Sequence, residues 1–261
     1  DYKIRFIADC FQAANEFDKD RPCSDARSVL KQEQKRNETA KYRIVGLTLE
    51  TRPDYINPEE IKLMRDLGCT RVEIGVQSVF DDVLQRIKRG HNVDQAVKAT
   101  RLLKDAGFKI CYHLMPNLPG SNLEKDLAMF KIVFEDERFK PDMIKIYPCV
   151  VTRQAKLYKW YQDKRYRPYS DQELTELLLR IKQIVPEWVR INRLGRDIPI
   201  RNILAGSKLS NIRQILQQRM KQKKLSCQCI RCREIKNSES KIENLKLKIE
   251  NYRASGGEEH F

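Results

Sequence analysis

The chain has 261 residues, of which 41% are hydrophobic, so it can bury a sizeable core and has the composition of a globular protein. No stretch approaches the roughly 20 apolar residues of a membrane span and no signal peptide is visible, so we expect a cytoplasmic location and no membrane partner. The net charge of +15 favours a polyanionic partner, because a Lys/Glu-rich solvated surface does not explain an excess of one sign.

The first part of the chain alternates between helix patterns and short apolar strand patterns. In chain order the patterns predict helices over 3–17 and 25–40, a strand over 44–49, a helix over 58–67, a strand over 71–76, helices over 80–88 and 93–106, a strand over 108–115, a helix over 122–135 and a strand over 143–147. This alternation indicates a parallel sheet with helical crossovers. Only four strands are visible before residue 150, so we expect a partial (β/α) barrel.

The pattern changes after Pro148. Further along, it predicts helices over 154–163 and 171–185, a short strand over 189–191, a basic amphipathic helix over 208–223 and a strand within 242–249. We therefore divide the chain into a partial barrel at 1–206, a small basic and metal-binding segment at 207–240, and a β-rich linker at 241–261. Both ends look cut, because the chain opens at Asp1 in mid-pattern and closes at Phe261 without a stop signal.

Polar side chains follow successive predicted strands, at the edge where parallel β/α sheets bind ligands. Glu50 can accept hydrogen bonds from an amino group or ribose hydroxyls, Gln77 offers a donor and an acceptor, and Arg89 suits a carboxylate. His113 and Met115 follow the third strand, where Met115 and the next proline can present an apolar face to a purine. A carboxylate-bearing adenosine compound would use all of these features, although any single residue could simply cap a turn.

Three of the eight cysteines are clustered as Cys227, Cys229 and Cys232. Thiolates at this spacing can hold one zinc ion, with the neighbouring arginines favouring deprotonation. Cys149 or a more distant residue would have to supply a fourth ligand, and three free thiols in a loop are the alternative. We expect any zinc here to be structural.

Two segments concentrate positive charge, one over 153–169 and one over 208–236. The first interleaves its cations with tyrosines and a tryptophan, and the aromatics can either stack unpaired bases or pack in the core. Cations that neutralise phosphates give affinity for RNA. The predicted RNA-binding residues are Arg153, Lys156, Lys159, Arg213, Arg219, Lys221, Lys223, Lys224, Arg231 and Arg233.

Several segments together resemble the family of Elongator catalytic subunits. They read TLETRPDY at 48–55, GCTRVEIGVQS at 68–78, RGH at 89–91, HLMPNLP at 113–119, KIYP at 145–148 and RDIP at 196–199. The resemblance covers nearly the whole chain except the polar stretch near 20–40. It implies a radical-SAM barrel joined to an acetyl-CoA-binding acetyltransferase domain.

The resemblance also implies a reaction, in which S-adenosylmethionine and acetyl-CoA serve to build a carboxymethyl group at C5 of the tRNA wobble uridine. Glu50, Gln77, Arg89 and His113 would line the S-adenosylmethionine pocket, with the backbone at Met115 against adenine. The partners it implies are a tRNA anticodon stem-loop and either other Elongator subunits or a second copy of the chain.

One departure from the family pattern concerns the iron–sulfur cluster. The family holds its 4Fe-4S cluster with a C-x9-C-x2-C set, and this sequence contains no such set. The acetyltransferase domain is also missing, so we expect a fragment that binds tRNA but is catalytically incomplete. The alternatives are another radical-SAM enzyme, acting on porphyrinogens or methylthiolating tRNA, and a non-catalytic tRNA-binding module.

Overall fold

The computed structural model describes residues 2–16, 25–195, 198–234, 251–254 and 257–260. Its strands are β1 (Thr48–Thr51), β2 (Arg71–Gln77), β3 (Lys109–Leu114), β4 (Met143–Ile146), β5 (Arg190–Leu194), β6 (Asn251–Ala254) and β7 (Gly257–His260). Its helices are α1 (Tyr2–Asn15), α2 (Ala26–Asn37), α3 (Pro58–Asp66), α4 (Asp81–Arg86), α5 (Val93–Asp105), α6 (Leu123–Glu135), α7 (Leu157–Gln162), α8 (Asp171–Ile184), α9 (Ile212–Gln222) and α10 (Ile230–Arg233).

The first five strands form one parallel sheet in the order β1-β2-β3-β4-β5, so each strand lies beside its neighbour in sequence. Helices connect the strands, which confirms the α/β class and the partial barrel. Because the order never reverses, the carboxyl ends of all five strands meet at one rim. Among the described helices, none is both long enough and apolar enough to cross a lipid bilayer.

The two faces of the sheet differ in chemistry because side chains alternate along a strand. Val72, Ile74 and Ile110 belong to the main core and are fully buried. Each such side chain contributes about 1.5–3 kcal/mol relative to exposure. The opposite, inner face carries Glu73 and His113, which contact each other across the sheet. These apolar side chains thus pack on one face of the sheet, whereas the inner face carries ionisable side chains.

A buried hydrogen-bond cluster fixes the loop after β3. The Asp126 carboxylate accepts hydrogen bonds from the Asn117 backbone N–H at 2.6 Å and from the Tyr169 hydroxyl at 2.7 Å. The Tyr166 hydroxyl donates to the Asn117 carbonyl at 2.7 Å. Asn117 itself has φ 65°. The loop that carries Met115 is therefore anchored on both sides.

Several element boundaries differ from the sequence prediction, among them the start of the helix predicted over 208–223, which begins at Ile212. The predicted strand over 44–49 was wrong in its start, because pairing begins at Thr48, while the Ile44 N–H is bound by the Asn37 side chain at 2.7 Å instead. The strand predicted over 189–191 extends to Leu194. The helix predicted over 154–163 contracts to Leu157–Gln162.

The C-terminal part supports the predicted β extension. β6 and β7 form an antiparallel pair, whereas the strand predicted within 242–249 lies outside the described residues. Upstream of it, α9 presents Ile212, Leu216 and Met220 at helical spacing to the same core as the sheet, together with Cys229. The division of the chain at residue 206 stays a prediction.

Candidate functional site

The structure brings the predicted strand-end residues to one rim. Glu50 lies near the end of β1, and its Oε1 is 3.4 Å from Nδ1 of His113 on β3. Gln77 closes β2, and its carbonyl accepts a 2.8 Å hydrogen bond from the Met115 N–H. Arg89 reaches back over the sheet and donates to the Gly75 carbonyl from Nη2 at 2.9 Å. The five residues named from sequence therefore share one edge.

Arg89 is a half-buried cation that forms no ion pair with a described carboxylate; its hydrogen bonds go to the Gly75 carbonyl. Burial, and then the charge of Arg52, lower the pKa of Arg89. A Cβ at position 75 would collide with the Arg89 guanidinium, so any larger residue there would have to displace that side chain. The rim thus holds a half-buried cation whose hydrogen bonds go to a backbone carbonyl, with the charges of Asp54 and Glu50 farther away.

Gln77 shows two further signs of a ligand site. Its backbone lies in the left-handed region at φ 67°, which costs about 1–2 kcal/mol for a residue with a side chain. Its Oε1 is buried and has no hydrogen-bond donor in the described part of the chain. An unpaired buried acceptor costs about 1–3 kcal/mol, so a ligand that donates to it would recover that energy.

A cavity of about 820 Å³ opens at this rim between α1 and β1. Glu50, Gly75 and Arg89 line one part of it, while Phe6 and Leu49 are among its apolar walls. The volume lies in the range of cofactor sites, which combine apolar walls with a few placed polar groups. A nucleoside with a charged amino-acid tail fits this distribution of groups.

A buried ion-pair network lies deeper on the inner face. Glu73 is 4% exposed, and its Oε2 lies 2.7 Å from Nε2 of His113 and in direct contact with the Lys145 ammonium. Burial alone would raise the pKa of Glu73, but hydrogen bonds from Lys145 and His113 hold it below its usual value. Sequence reasoning noted Lys145 and missed Glu73, although its place between Val72 and Ile74 marks it as facing inward.

Glu73, His113 and Cys111 place donor atoms within 4.8 Å of one another, which resembles a metal-ligand set. Two features oppose that role. The Lys145 ammonium already compensates the Glu73 carboxylate. Burial, followed by the Glu73 charge, raises the pKa of the Cys111 thiol to about 12, so it is a poor thiolate donor. The set is an ion-pair network.

The three clustered cysteines do converge. Cys227, Cys229 and Cys232 hold their sulfur atoms within 4.8 Å of one another, and the Lys182 ammonium donates to Cys232 Sγ at 3.2 Å. Hydrogen bonds from Cys227 and then Cys229, aided by Lys182, lower the pKa of Cys232. A lysine on the apolar face of α8, 1% exposed, therefore favours the thiolate.

Sequence reasoning missed Lys182 and assigned its role to neighbouring arginines. Arg233 instead donates to the carbonyls of Gln228 at 2.6 Å and Glu187 at 2.7 Å. Cys149, the suggested fourth ligand, packs with Tyr166 in a separate apolar cluster. The described structure therefore places three thiols together without it.

The predicted RNA-binding cations lie at the surface with few exceptions. Those of the first segment, Arg153, Lys156 and Lys159, are exposed, as are Lys221 and Lys224 of the second. Lys223 is exposed and pairs with Glu176 at 3.0 Å. Arg219 is half-buried, and so are Arg213 and Arg231, which lie at a common cavity.

The aromatic residues of the first segment divide into two groups. Tyr166 and Tyr169 are 7% and 8% exposed, and their hydroxyls donate hydrogen bonds to Asn117 and Asp126. They are therefore core residues and cannot stack bases. Trp160 is half-buried with the Arg165 guanidinium 5.5 Å from its ring, and Tyr161 is 39% exposed. Trp160 and Tyr161, together with the half-buried Tyr158, are therefore more accessible to an unpaired base than Tyr166 and Tyr169.

Comparison with known proteins gives consistent results. The Radical SAM superfamily model matches residues 5–131, and the Radical_SAM C-terminal domain model matches residues 141–222. The chain is 45% identical to the tRNA uridine(34) acetyltransferase of Methanocaldococcus jannaschii, covering 100% of this chain and 48% of that protein. It is 39% identical to Elongator complex protein 3 of Homo sapiens, covering 87% of this chain and 42% of that protein.

One solved structure matches closely, that of archaeal Methanocaldococcus infernus Elp3 with an N-terminal deletion. The TM-score is 0.88 at 45% sequence identity, covering 98% of this chain and 59% of that chain. The chain thus spans about half the length of the curated relatives that it matches.

Proposed function

The chain belongs to the radical SAM superfamily and is related over its whole length to the tRNA uridine(34) acetyltransferases, and on that premise we propose that it forms the S-adenosylmethionine- and tRNA-binding centre of a wobble-uridine-modifying enzyme. In the whole enzyme, S-adenosylmethionine and acetyl-CoA would serve to build a carboxymethyl group at C5 of uridine. The observation that carries the proposal is the unpaired Arg89 cation at the rim formed by Glu50, Gln77 and His113.

Each rim residue has a part in holding S-adenosylmethionine. Arg89 would bind the methionine carboxylate, since a guanidinium pairs with a carboxylate in a bidentate manner. Glu50 would accept from the amino group or ribose hydroxyls, and the unsatisfied Gln77 Oε1 offers a second acceptor. The backbone at Met115 would lie against adenine. When bound with an iron–sulfur cluster, this cofactor supplies radical chemistry.

The inner-face network would serve the substrate side of the same site. Lys145 keeps Glu73 ionised, and His113 joins that pair to Glu50 at the rim. The chain therefore holds a fixed set of charges beneath the cofactor position. Such preorganised charge stabilises a reacting group without reorganisation.

The residues of this chain do not fit the family's 4Fe-4S ligand set. Such clusters are held by cysteine thiolates, and of the described cysteines only the 227–232 trio converges. That trio packs against α8 on the helical side of the sheet, away from Glu50 and Arg89. The proposed function therefore includes no step at the cluster. The use of acetyl-CoA is proposed from the similarity to acetyltransferases.

The cysteine trio would instead hold a structural zinc ion, with a fourth ligand to complete the tetrahedron. Cys229 is fully buried in the main core, so the ion would pin the basic segment to the sheet. Cys229→Ser should lower bound zinc from about one equivalent to near zero, whereas Cys149→Ser, a buried cysteine elsewhere, should not. Equal zinc content in both variants would argue against the site.

The basic surface would bind the anticodon stem-loop, in the cytoplasm, with the accessible Trp160 and Tyr161 available to unpaired bases. Other Elongator subunits or a second copy of the chain would be its protein partners.

Titration with S-adenosylhomocysteine tests the cofactor site, because this analogue keeps the carboxylate and the adenosine but is unreactive. We expect saturable binding to the chain and at least tenfold weaker binding for Arg89→Gln, because one charge-assisted pair is lost. Arg101→Gln, an exposed residue on α5 beside Asp105, is the matched control and should bind normally. Equal affinity in all three proteins would contradict the assignment.

A further inference from the structure

A second cavity, of about 450 Å³, lies at the free edge of β5. Three elements surround it, namely the end of β5, the start of α9 and the short helix α10. Each contributes one arginine to the lining, namely Arg193, Arg213 and Arg231. Sequence reasoning named the last two as separate surface cations and did not name Arg193.

The charge in this cavity is one-sided. Among the described residues that line it there is no Asp or Glu, and the Cys232 thiol is the one lining group that can become an anion. No described carboxylate pairs with Arg231, and Arg213 donates a hydrogen bond to the Ile191 carbonyl at 3.2 Å. The nearby Glu234 pairs with Arg190 at 2.5 Å. Burial and then the charge of Arg231 lower the pKa of Arg213, so these two guanidinium groups repel each other and an anionic ligand between them would relieve that repulsion.

The cavity adjoins the inner face of the sheet. Asn192 lines the cavity, and its side-chain amide also approaches Met143 Sδ at 3.2 Å and Cys111 Sγ at 3.8 Å. Cys111 lies beside Glu73 and His113 on that face. Asn192 therefore connects the cavity with the inner-face residues Cys111 and Met143.

We propose that this cavity binds a backbone phosphate of the RNA substrate, beside the nucleotide whose base enters the inner face of the sheet. The inference rests on the proposed function and adds to it a discrete subsite. Guanidinium forks match phosphate oxygens in a bidentate manner, and Arg213 with Arg231 would hold one phosphate with geometric control that flexible surface lysines do not give. The neutral amides and hydroxyls of the lining can donate to the adjoining sugar.

The subsite would also fix the position of the RNA on the basic surface. Surface cations attract RNA without fixing its position, whereas a phosphate seated in a pocket positions the chain of nucleotides along the protein. The same chemistry would accept a free mononucleotide, so the experiment separates the two sources.

Fluorescence titration of the chain with a uridine-containing anticodon stem-loop provides the test. Arg231→Gln and Arg193→Gln should each weaken binding at least tenfold at constant salt, and Arg101→Gln less than threefold. Uridine 5′-monophosphate should compete with the stem-loop for the unaltered chain, whereas uridine should not. Zinc content and thermal unfolding of Arg231→Gln should match those of the unaltered chain, because this side chain has no described ion-pair partner.

The outcomes distinguish a phosphate subsite for RNA from a site for a free nucleotide. If both cavity variants bind the stem-loop as well as Arg101→Gln does, the subsite is overturned, while RNA binding by the unaltered chain would leave the proposed function intact. If the mononucleotide binds and the stem-loop does not, the cavity takes free nucleotide, and both the RNA assignment and the proposed function fail. Competition by uridine alone would show that the phosphate is not the group recognised.

Discussion

Replacing Lys145 by methionine isolates the ion pair beneath the rim. Methionine keeps most of the apolar stem but leaves the Glu73 carboxylate, whose side chain is 6% exposed, with the His113 contact at 2.7 Å and the more distant Arg71 guanidinium at 3.8 Å. Removing one partner of a buried pair costs about 3–5 kcal/mol. Because the Lys145 side chain is 21% exposed and His113 remains, we expect a loss of about 2–3 kcal/mol in the free energy of unfolding at pH 7.

The stability difference between Lys145→Met and the unaltered chain should depend on pH. In the unaltered chain the pKa of Glu73 is lowered, so its contribution to stability is present above the unfolded value near 4.5 and is lost as pH falls. In Lys145→Met burial dominates and raises that pKa, so the folded state binds the proton more tightly than the unfolded state. The stability gap between the two proteins should therefore narrow as pH falls from 8 to 5.

Urea unfolding at several pH values measures the effect, with Lys98→Met, an exposed lysine on α5, as the control. The control should change stability by less than about 0.5 kcal/mol. The double variant Glu73→Gln/Lys145→Met should recover most of the loss, since it leaves no buried charge unpaired. A gap that stays constant with pH, or a double variant as unstable as Lys145→Met, would refute the reasoning.

Three further predictions concern the rim and the surface. Gly75→Ala should displace the Arg89 guanidinium and weaken S-adenosylhomocysteine binding at least tenfold. The free energy of unfolding should change by about 1 kcal/mol. Normal binding would contradict the packing described. Burial lowers the pKa of His91, so the unfolded state takes up its proton first as pH falls from 7 to 5, and stability should fall over that window less in His91→Gln than in the unaltered chain; equal slopes would count against it. Changing Lys221, Lys223 and Lys224 to glutamate should weaken tRNA binding and flatten the log–log salt slope by at least about 2, and an unchanged slope would place the RNA elsewhere.

Local sequence patterns were sufficient for the parallel sheet and its rim. Glu50, Gln77 and His113 could be placed together because parallel strands share one carboxyl edge and each residue ends a recognisable strand. The cysteine trio was visible because its members lie within six positions of one another. In both cases the signal is short in sequence.

Features that join distant segments escaped sequence reasoning. Lys182 lies 50 positions from Cys232, and a lysine among apolar helix positions does not reveal its partner. Tyr166 alternates with cations as a stacking residue would, but its hydroxyl bond to Asn117, 49 positions away, makes it a core residue. The arginine cavity at β5 likewise depends on three separate elements meeting.

The most direct test of the central claim is a crosslinking experiment with an anticodon stem-loop that carries 4-thiouridine at the wobble position. The proposed function places that base on the inner face of the sheet, near His113 and Lys145. Crosslinks formed on irradiation should therefore map to peptides spanning 109–116 or 143–149, and unlabelled stem-loop should suppress them. Crosslinks confined to α9 or to the outer helices would show that the base does not enter the sheet, and would contradict the account.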